Sequence, residues 1–118
     1  RVRIDPMVPV HEWEKYYINL IDHIFASYVP SRITLGSLRG LQSTVNGSTD
    51  KSWVKYLSEG SSWGKKIDFK TRYAMYATII SQLKEKYNYN EVALCKETLA
   101  MWGRLGMEYK KIRCNCVW

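Results

Sequence analysis

The chain has 118 residues with 18 basic and 11 acidic side chains, a net charge of +7 and a pI near 9.4. With 46% hydrophobic and 14% aromatic residues it carries enough apolar material for one folded core, which excludes a disordered tail and more than one domain. No stretch approaches the roughly 18 apolar residues of a membrane span, and no basic segment precedes an apolar one as in an export signal, so a cytoplasmic protein without a membrane partner is expected. The first residue is Arg1, inside a segment that already alternates like a strand, and this suggests a piece of a longer protein.

In chain order, Arg1 to Asp5 has β-branched residues at alternate positions and is expected to end at Pro6, which has no N–H for a ladder. From His11, apolar residues fall at Trp13, Tyr16, Tyr17, Leu20, Ile21, Ile24, Phe25 and Tyr28, the stripe of a helix stopped by Pro30. Arg32 to Leu38 reads as a second strand, so residues 1–39 form a parallel βαβ unit. Residues 40–68 are a loop and a basic-aromatic segment, with Thr49 or Asp50 capping a short helix that ends at Gly60 and a turn over Ser61 to Lys66.

Residues 69–118 supply a helix, a strand, a helix and a cysteine-containing tail. Asp68 is the expected N-cap of the long helix, whose stripe is Phe69, Tyr73, Tyr76, Ile79, Ile80, Leu83 and Tyr87. Val92 to Cys95 is a short strand. A helix from Lys96 then turns Leu99, Trp102 and Leu105 inward and ends at Gly106. The alternation is α/β, and three short strands suit the closing part of a partial (β/α) barrel with parallel strands and flanking helices better than a complete small fold.

In parallel sheets the working residues lie past the carboxyl ends of the strands. Here these are Asp5, then Ser37 and Arg39, then Lys96 and Glu97, expected on one face. From Lys51 to Arg72 six basic residues (Lys51, Lys55, Lys65, Lys66, Lys70 and Arg72) outnumber two acidic ones and interleave with Trp53, Tyr56, Trp63, Phe69 and Tyr73. Cations neutralise phosphates and aromatic faces stack on exposed bases, so Lys51, Lys55, Trp63, Lys65, Lys66, Lys70 and Arg72 are the candidate DNA contacts.

Cys95, Cys114 and Cys116 are weak metal candidates, since tetrahedral zinc would need His11 or His23 as well, and free thiols are expected. His11-Glu12-Trp13-Glu14-Lys15 lacks the second histidine of a zinc-protease helix. No nucleophile with a paired base and no phosphate loop is present, so no catalytic residue is assigned within the chain.

The ordered segments Arg3-Ile4-Asp5-Pro6, His11-Glu12-Trp13-Glu14-Lys15-Tyr16-Tyr17, Arg32-Ile33-Thr34-Leu35-Gly36-Ser37-Leu38-Arg39 and Trp63-Gly64-Lys65-Lys66 resemble the C-terminal part of the spore photoproduct lyase family of radical S-adenosylmethionine enzymes. The closing Ala93-Leu94-Cys95-Lys96-Glu97-Thr98 and Cys114-Asn115-Cys116-Val117-Trp118 resemble the ends of related DNA photolyase-like radical proteins. The resemblance implies a parent lyase that reverses a DNA photoproduct, with a 4Fe-4S cluster and S-adenosylmethionine bound by a missing N-terminal half. It also implies Asp5, Ser37 and Arg39 facing cofactor and substrate, and a late basic-aromatic segment near DNA. The family's Cys-x-x-x-Cys-x-x-Cys motif does not occur in this sequence, so the chain alone is expected to bind no such cofactor and to be inactive. The alternative is a stand-alone basic α/β module that binds nucleic acid without catalysis; a blander one is a structural domain with no dedicated ligand. A strand left unpaired at a cut barrel is further expected to make the isolated chain self-associate.

Overall fold

The computed structural model describes residues 1–40, 55–57, 59–61 and 64–107. The chain runs β1 (Val2–Met7), α1 (Trp13–Ser27), β2 (Ile33–Ser37), β3 (Arg39–Gly40), β4 (Glu59–Ser61), β5 (Gly64–Lys66), α2 (Phe69–Tyr87), β6 (Val92–Leu94) and α3 (Leu99–Arg104). Two sheets result. One is parallel with the order β1-β2-β6, and the other is antiparallel with the order β3-β5-β4. The α/β class and the parallel βαβ unit are as the sequence predicts. The parallel sheet is open among the described residues, and a partial barrel is not established.

Register fixes which side chains share a face. Val2, Ile4, Ile33, Leu35, Val92 and Leu94 occupy aligned positions on one side of the pleat and belong to the core with Ile21, Met75, Ile79 and Leu83 from the two long helices. The other side takes Arg3, Asp5, Thr34, Gly36, Ala93 and Cys95, which are charged or small. Central β2 is buried at all five positions, as expected for a strand flanked on both sides.

β1 does not stop at Pro6. Its register shifts between Ile4 and Met7, so Pro6 falls where no ladder bond is required, and pairing resumes with Met7 opposite Ser37 and the Leu38 N–H donating to the Met7 carbonyl at 2.9 Å. Gly60, expected to end a short helix, instead lies in β4 opposite Lys65, and Ser61 faces Gly64 across the hairpin. The expected caps Thr49 and Asp50 lie outside the described residues.

α2 begins as predicted, with Asp68 accepting from the Thr71 N–H at 3.0 Å, and ends at Asn88 in the left-handed region with φ 50°. Its buried face is Arg72, Met75, Tyr76, Ile79 and Leu83, while Phe69, Tyr73, Ile80 and Tyr87 are only partly buried. α1 buries Ile21 and half-buries Trp13, Tyr17 and Phe25, but Tyr16, Leu20 and Tyr28 are exposed, because one neighbouring helix and one sheet cover a narrower stripe than the sequence offers. The two helices meet where Phe25 stacks on Tyr87 with centroids 4.3 Å apart and Asp22 accepts from the Tyr87 hydroxyl and from Lys86 at 3.0 Å. α3 starts three residues later than expected, at Leu99 rather than Lys96, since Thr98 is the cap that accepts from the Met101 N–H. Trp102 turns inward as expected, together with Met101, whereas Leu99 is 64% exposed. No helix of the described residues is long and apolar enough to cross a membrane.

Candidate functional site at the strand carboxyl ends

The carboxyl ends of β1, β2 and β6 bring two polar groups side by side. The first centres on Asp5. Its carboxylate accepts from Arg3 Nη2 at 2.9 Å and from both terminal nitrogens of Arg39 at 3.3 and 3.4 Å. Arg39 also donates to the Ser37 carbonyl at 3.1 Å, and Arg3 Nη2 reaches Cys95 Sγ at 2.8 Å. Gly36 permits this arrangement: a Cβ there would lie 2.6 Å from the Asp5 carboxyl carbon, so only glycine leaves room for the carboxylate.

The second group centres on Glu97, which is buried. Its carboxylate accepts from Arg72 Nη1, from Lys66 Nζ at 3.4 Å, from the Tyr76 hydroxyl at 2.9 Å and from the Thr98 N–H at 3.0 Å. Lys66 Nζ also donates to the Lys96 carbonyl at 2.7 Å and Arg72 Nε to the Ile67 carbonyl at 2.8 Å. Three elements contribute: Lys66 comes from β5, Arg72 and Tyr76 from α2, and Glu97 from the turn after β6. Burial pushes the Lys66 ammonium below its ordinary pKa against the pull of Glu97, and burial together with the Glu97 charge pushes the Tyr76 hydroxyl up.

Ser37 joins the two groups. Its N–H donates to the Tyr76 hydroxyl at 3.0 Å, which in turn donates to Glu97, while its carbonyl takes Arg39. The predicted strand-end residues Asp5, Ser37, Arg39 and Glu97 are thus brought together, whereas Lys96 contributes its carbonyl and leaves its side chain exposed. Sequence reasoning missed Arg3 and Tyr76. Arg3 is two positions from Asp5, and strand alternation alone puts both on one face. Tyr76 was assigned to the apolar stripe, and nothing local marks its hydroxyl as a bridge.

The basic-aromatic segment does not act as one surface. Lys66 and Arg72 were expected at DNA, but each is 1% exposed and turned to the Glu97 carboxylate inside the protein, so neither is presented to a ligand at the surface. A local excess of basic residues carries no record of a buried carboxylate far along the chain, here Glu97. Lys55 and Lys70 are exposed. The Lys65 backbone pairs in the hairpin, and its side chain, with Lys51 and Trp63, lies outside what the structure describes. Lys70, Phe69, Tyr73 and Arg104 line an open cleft of about 470 Å³ on the helical side.

Among the described residues no three His, Cys, Asp or Glu side chains converge as a metal site, and Cys95 is buried beneath Arg3. Cys114 and Cys116 lie outside the described residues. Arg3 and Arg39, with the exposed Lys96 side chain, supply the positive charge at the strand ends, an arrangement suited to an anionic or zwitterionic ligand oriented by guanidinium hydrogen bonds. Comparison with family models, curated proteins and solved structures returned no match.

Proposed function

We propose that this chain is the C-terminal part of a radical S-adenosylmethionine enzyme of the spore photoproduct lyase-like kind, closing the barrel of a DNA photoproduct lyase and offering part of its DNA-contacting surface. The observation that carries the reading is the parallel sheet itself. Its three parallel strands lie side by side in the order in which the chain reaches them, the arrangement that neighbouring strands of a barrel have. One face of that sheet is apolar and joined to the helices, and the other presents Arg3, Asp5 and Gly36 toward the strand ends, the usual place for a barrel's chemistry.

The residues of this chain do not suit an iron-sulfur cluster. Cys95 is buried and hydrogen-bonded to Arg3, and the spacing of the three cysteines is not that of a cluster motif. The cluster and S-adenosylmethionine therefore belong to an N-terminal half in this reading. The role left to this chain is to orient a charged ligand through Arg3 and Arg39, held in place by Asp5.

The reading frame upstream of Arg1 tests the proposal directly: an in-frame Cys-x-x-x-Cys-x-x-Cys is expected, and its absence overturns the reading. With the longer protein in hand, cleavage of S-adenosylmethionine to 5′-deoxyadenosine on ultraviolet-irradiated DNA should fall in an Asp5→Asn variant. A second reading, a stand-alone nucleic-acid-binding module, draws on exposed Lys55 and Lys70. A start codon close to Arg1 favours it.

A further inference from the structure

The cleft lined by Phe69, Lys70, Tyr73 and Arg104 lies outside the strand-end groups, and its chemistry is different. Its lining is mostly apolar, from the Phe69 and Tyr73 side chains and the stems of Lys70 and Arg104, which bring two cations to it. Arg104 lies over the Tyr73 ring, 5.2 Å from its centroid, and the buried Arg72 stands 5.5 Å from the Phe69 ring. Lys70 and Arg104 are exposed, and among the described residues neither has an acidic partner. The first turn of α2 does not attract an anion by itself, because the Asp68 carboxylate already takes the Thr71 N–H. Any anion held here is held by side chains.

We infer that this cleft is a docking subsite for one unpaired nucleotide of single-stranded DNA. The base stacks on the Phe69 ring and on the Arg104 guanidinium, itself a flat stacking surface, which the Tyr73 ring beneath it supports. Lys70 and Arg104 face the adjoining phosphates. A paired base cannot enter, since its faces are already covered by its neighbours in the duplex, so the cleft discriminates for strands that are open or locally unpaired. An acidic peptide would use the two cations and leave the rings unused, which makes it the poorer fit. In naming DNA, this inference rests on the reading given under Proposed function; the geometry of rings and cations does not.

The test uses the full chain and a short oligothymidylate carrying a single 2-aminopurine, whose fluorescence is quenched when it stacks. Quenching on addition of protein is expected, together with affinity measured by anisotropy at several salt concentrations. Tyr73→Leu should abolish the quenching and weaken single-strand binding roughly 5- to 150-fold, with less than about a twofold change for duplex. Lys70→Gln and Arg104→Gln, both at exposed positions, should each flatten the salt dependence by about 0.7 in slope. Lys84→Gln removes the same charge from another exposed site on α2 and should leave quenching intact.

If the wild type binds the oligonucleotide without quenching, or if the three cleft variants bind as the wild type does, the subsite is overturned while the DNA reading stands. If the wild type binds neither strand form at low salt, both fall. Competition by polyglutamate equal to that by oligothymidylate, with Tyr73→Leu unaffected, would overturn the subsite in favour of an acidic protein partner.

Discussion

Gly36 and Glu97 are single residues on which the two strand-end groups depend. A methyl group at Gly36 would meet the Asp5 carboxyl carbon at 2.6 Å, and that carboxylate cannot move without releasing Arg3 and Arg39. Gly36→Ala is therefore expected to destabilise the protein by about 1–3 kcal/mol, the usual cost of overpacking, and thermal melts of the two proteins check it. Glu97→Gln removes the charge that Arg72 and Lys66 face while keeping the side-chain shape. Leaving buried cations without that carboxylate should cost roughly 3–5 kcal/mol in denaturant unfolding, far more than a surface charge change. Ser37, Arg39 and Glu97 were legible because a strand end is a positional rule that needs no partner; Asp5 was reached by the same rule although β1 runs on to Met7. The internal roles of Lys66 and Arg72 were not, since a charge in sequence carries no record of whether a distant carboxylate will bury it.

Helix ends and helix faces were legible to different degrees. Asp68 was readable as the N-cap of α2 because capping is local, and it acts as one. The Thr71 N–H and hydroxyl hold the Asp68 carboxyl below its ordinary value of 3.8, and the Tyr87 hydroxyl and Lys86 do the same for Asp22. Both carboxylates are thus depressed in the folded state. Their contribution is complete above the unfolded value and is lost as pH falls through the folded one, so thermal stability should decline progressively below about pH 5. Asp68→Ala should cost about 0.5–2 kcal/mol at neutral pH, and it should shrink the acid-dependent part of the decline in melting temperature. Helix faces were harder to read. Tyr16 and Leu20 on α1 and Leu99 on α3 fit an apolar period yet stay exposed, since the width of a buried stripe is set by what packs against it. Arg72 is the reverse case, a charged residue on the buried face of α2 because a carboxylate waits there.

Across the whole molecule, the parallel sheet has β1 at one edge and β6 at the other, each paired only with β2 among the described residues. Such edges offer unpaired backbone groups to another strand. The isolated chain is accordingly expected to associate with itself, and sedimentation at high micromolar concentration should find species larger than a monomer; a compact monomer throughout would contradict this. The parallel pairing of the strands was legible in outline, because helix and strand patterns alternate. The antiparallel hairpin was not, as Glu59 to Ser61 and Gly64 to Lys66 are short, polar and glycine-bearing, with none of the β-branched alternation that marks a strand. The two unlike faces of the parallel sheet also bear on how this sequence can drift. Exchange among valine, isoleucine and leucine at Val2, Ile4, Ile33, Leu35, Val92 and Leu94 alters volume by little and is absorbed by repacking. Arg3, Asp5 and Gly36 have less latitude, because the Asp5 carboxylate holds Arg3 and fills the space that a Gly36 side chain would need. Diverged copies of this gene should therefore keep an Arg-x-Asp pair and, after one helix, a glycine three residues before an arginine, long after the apolar letters around them have been rewritten.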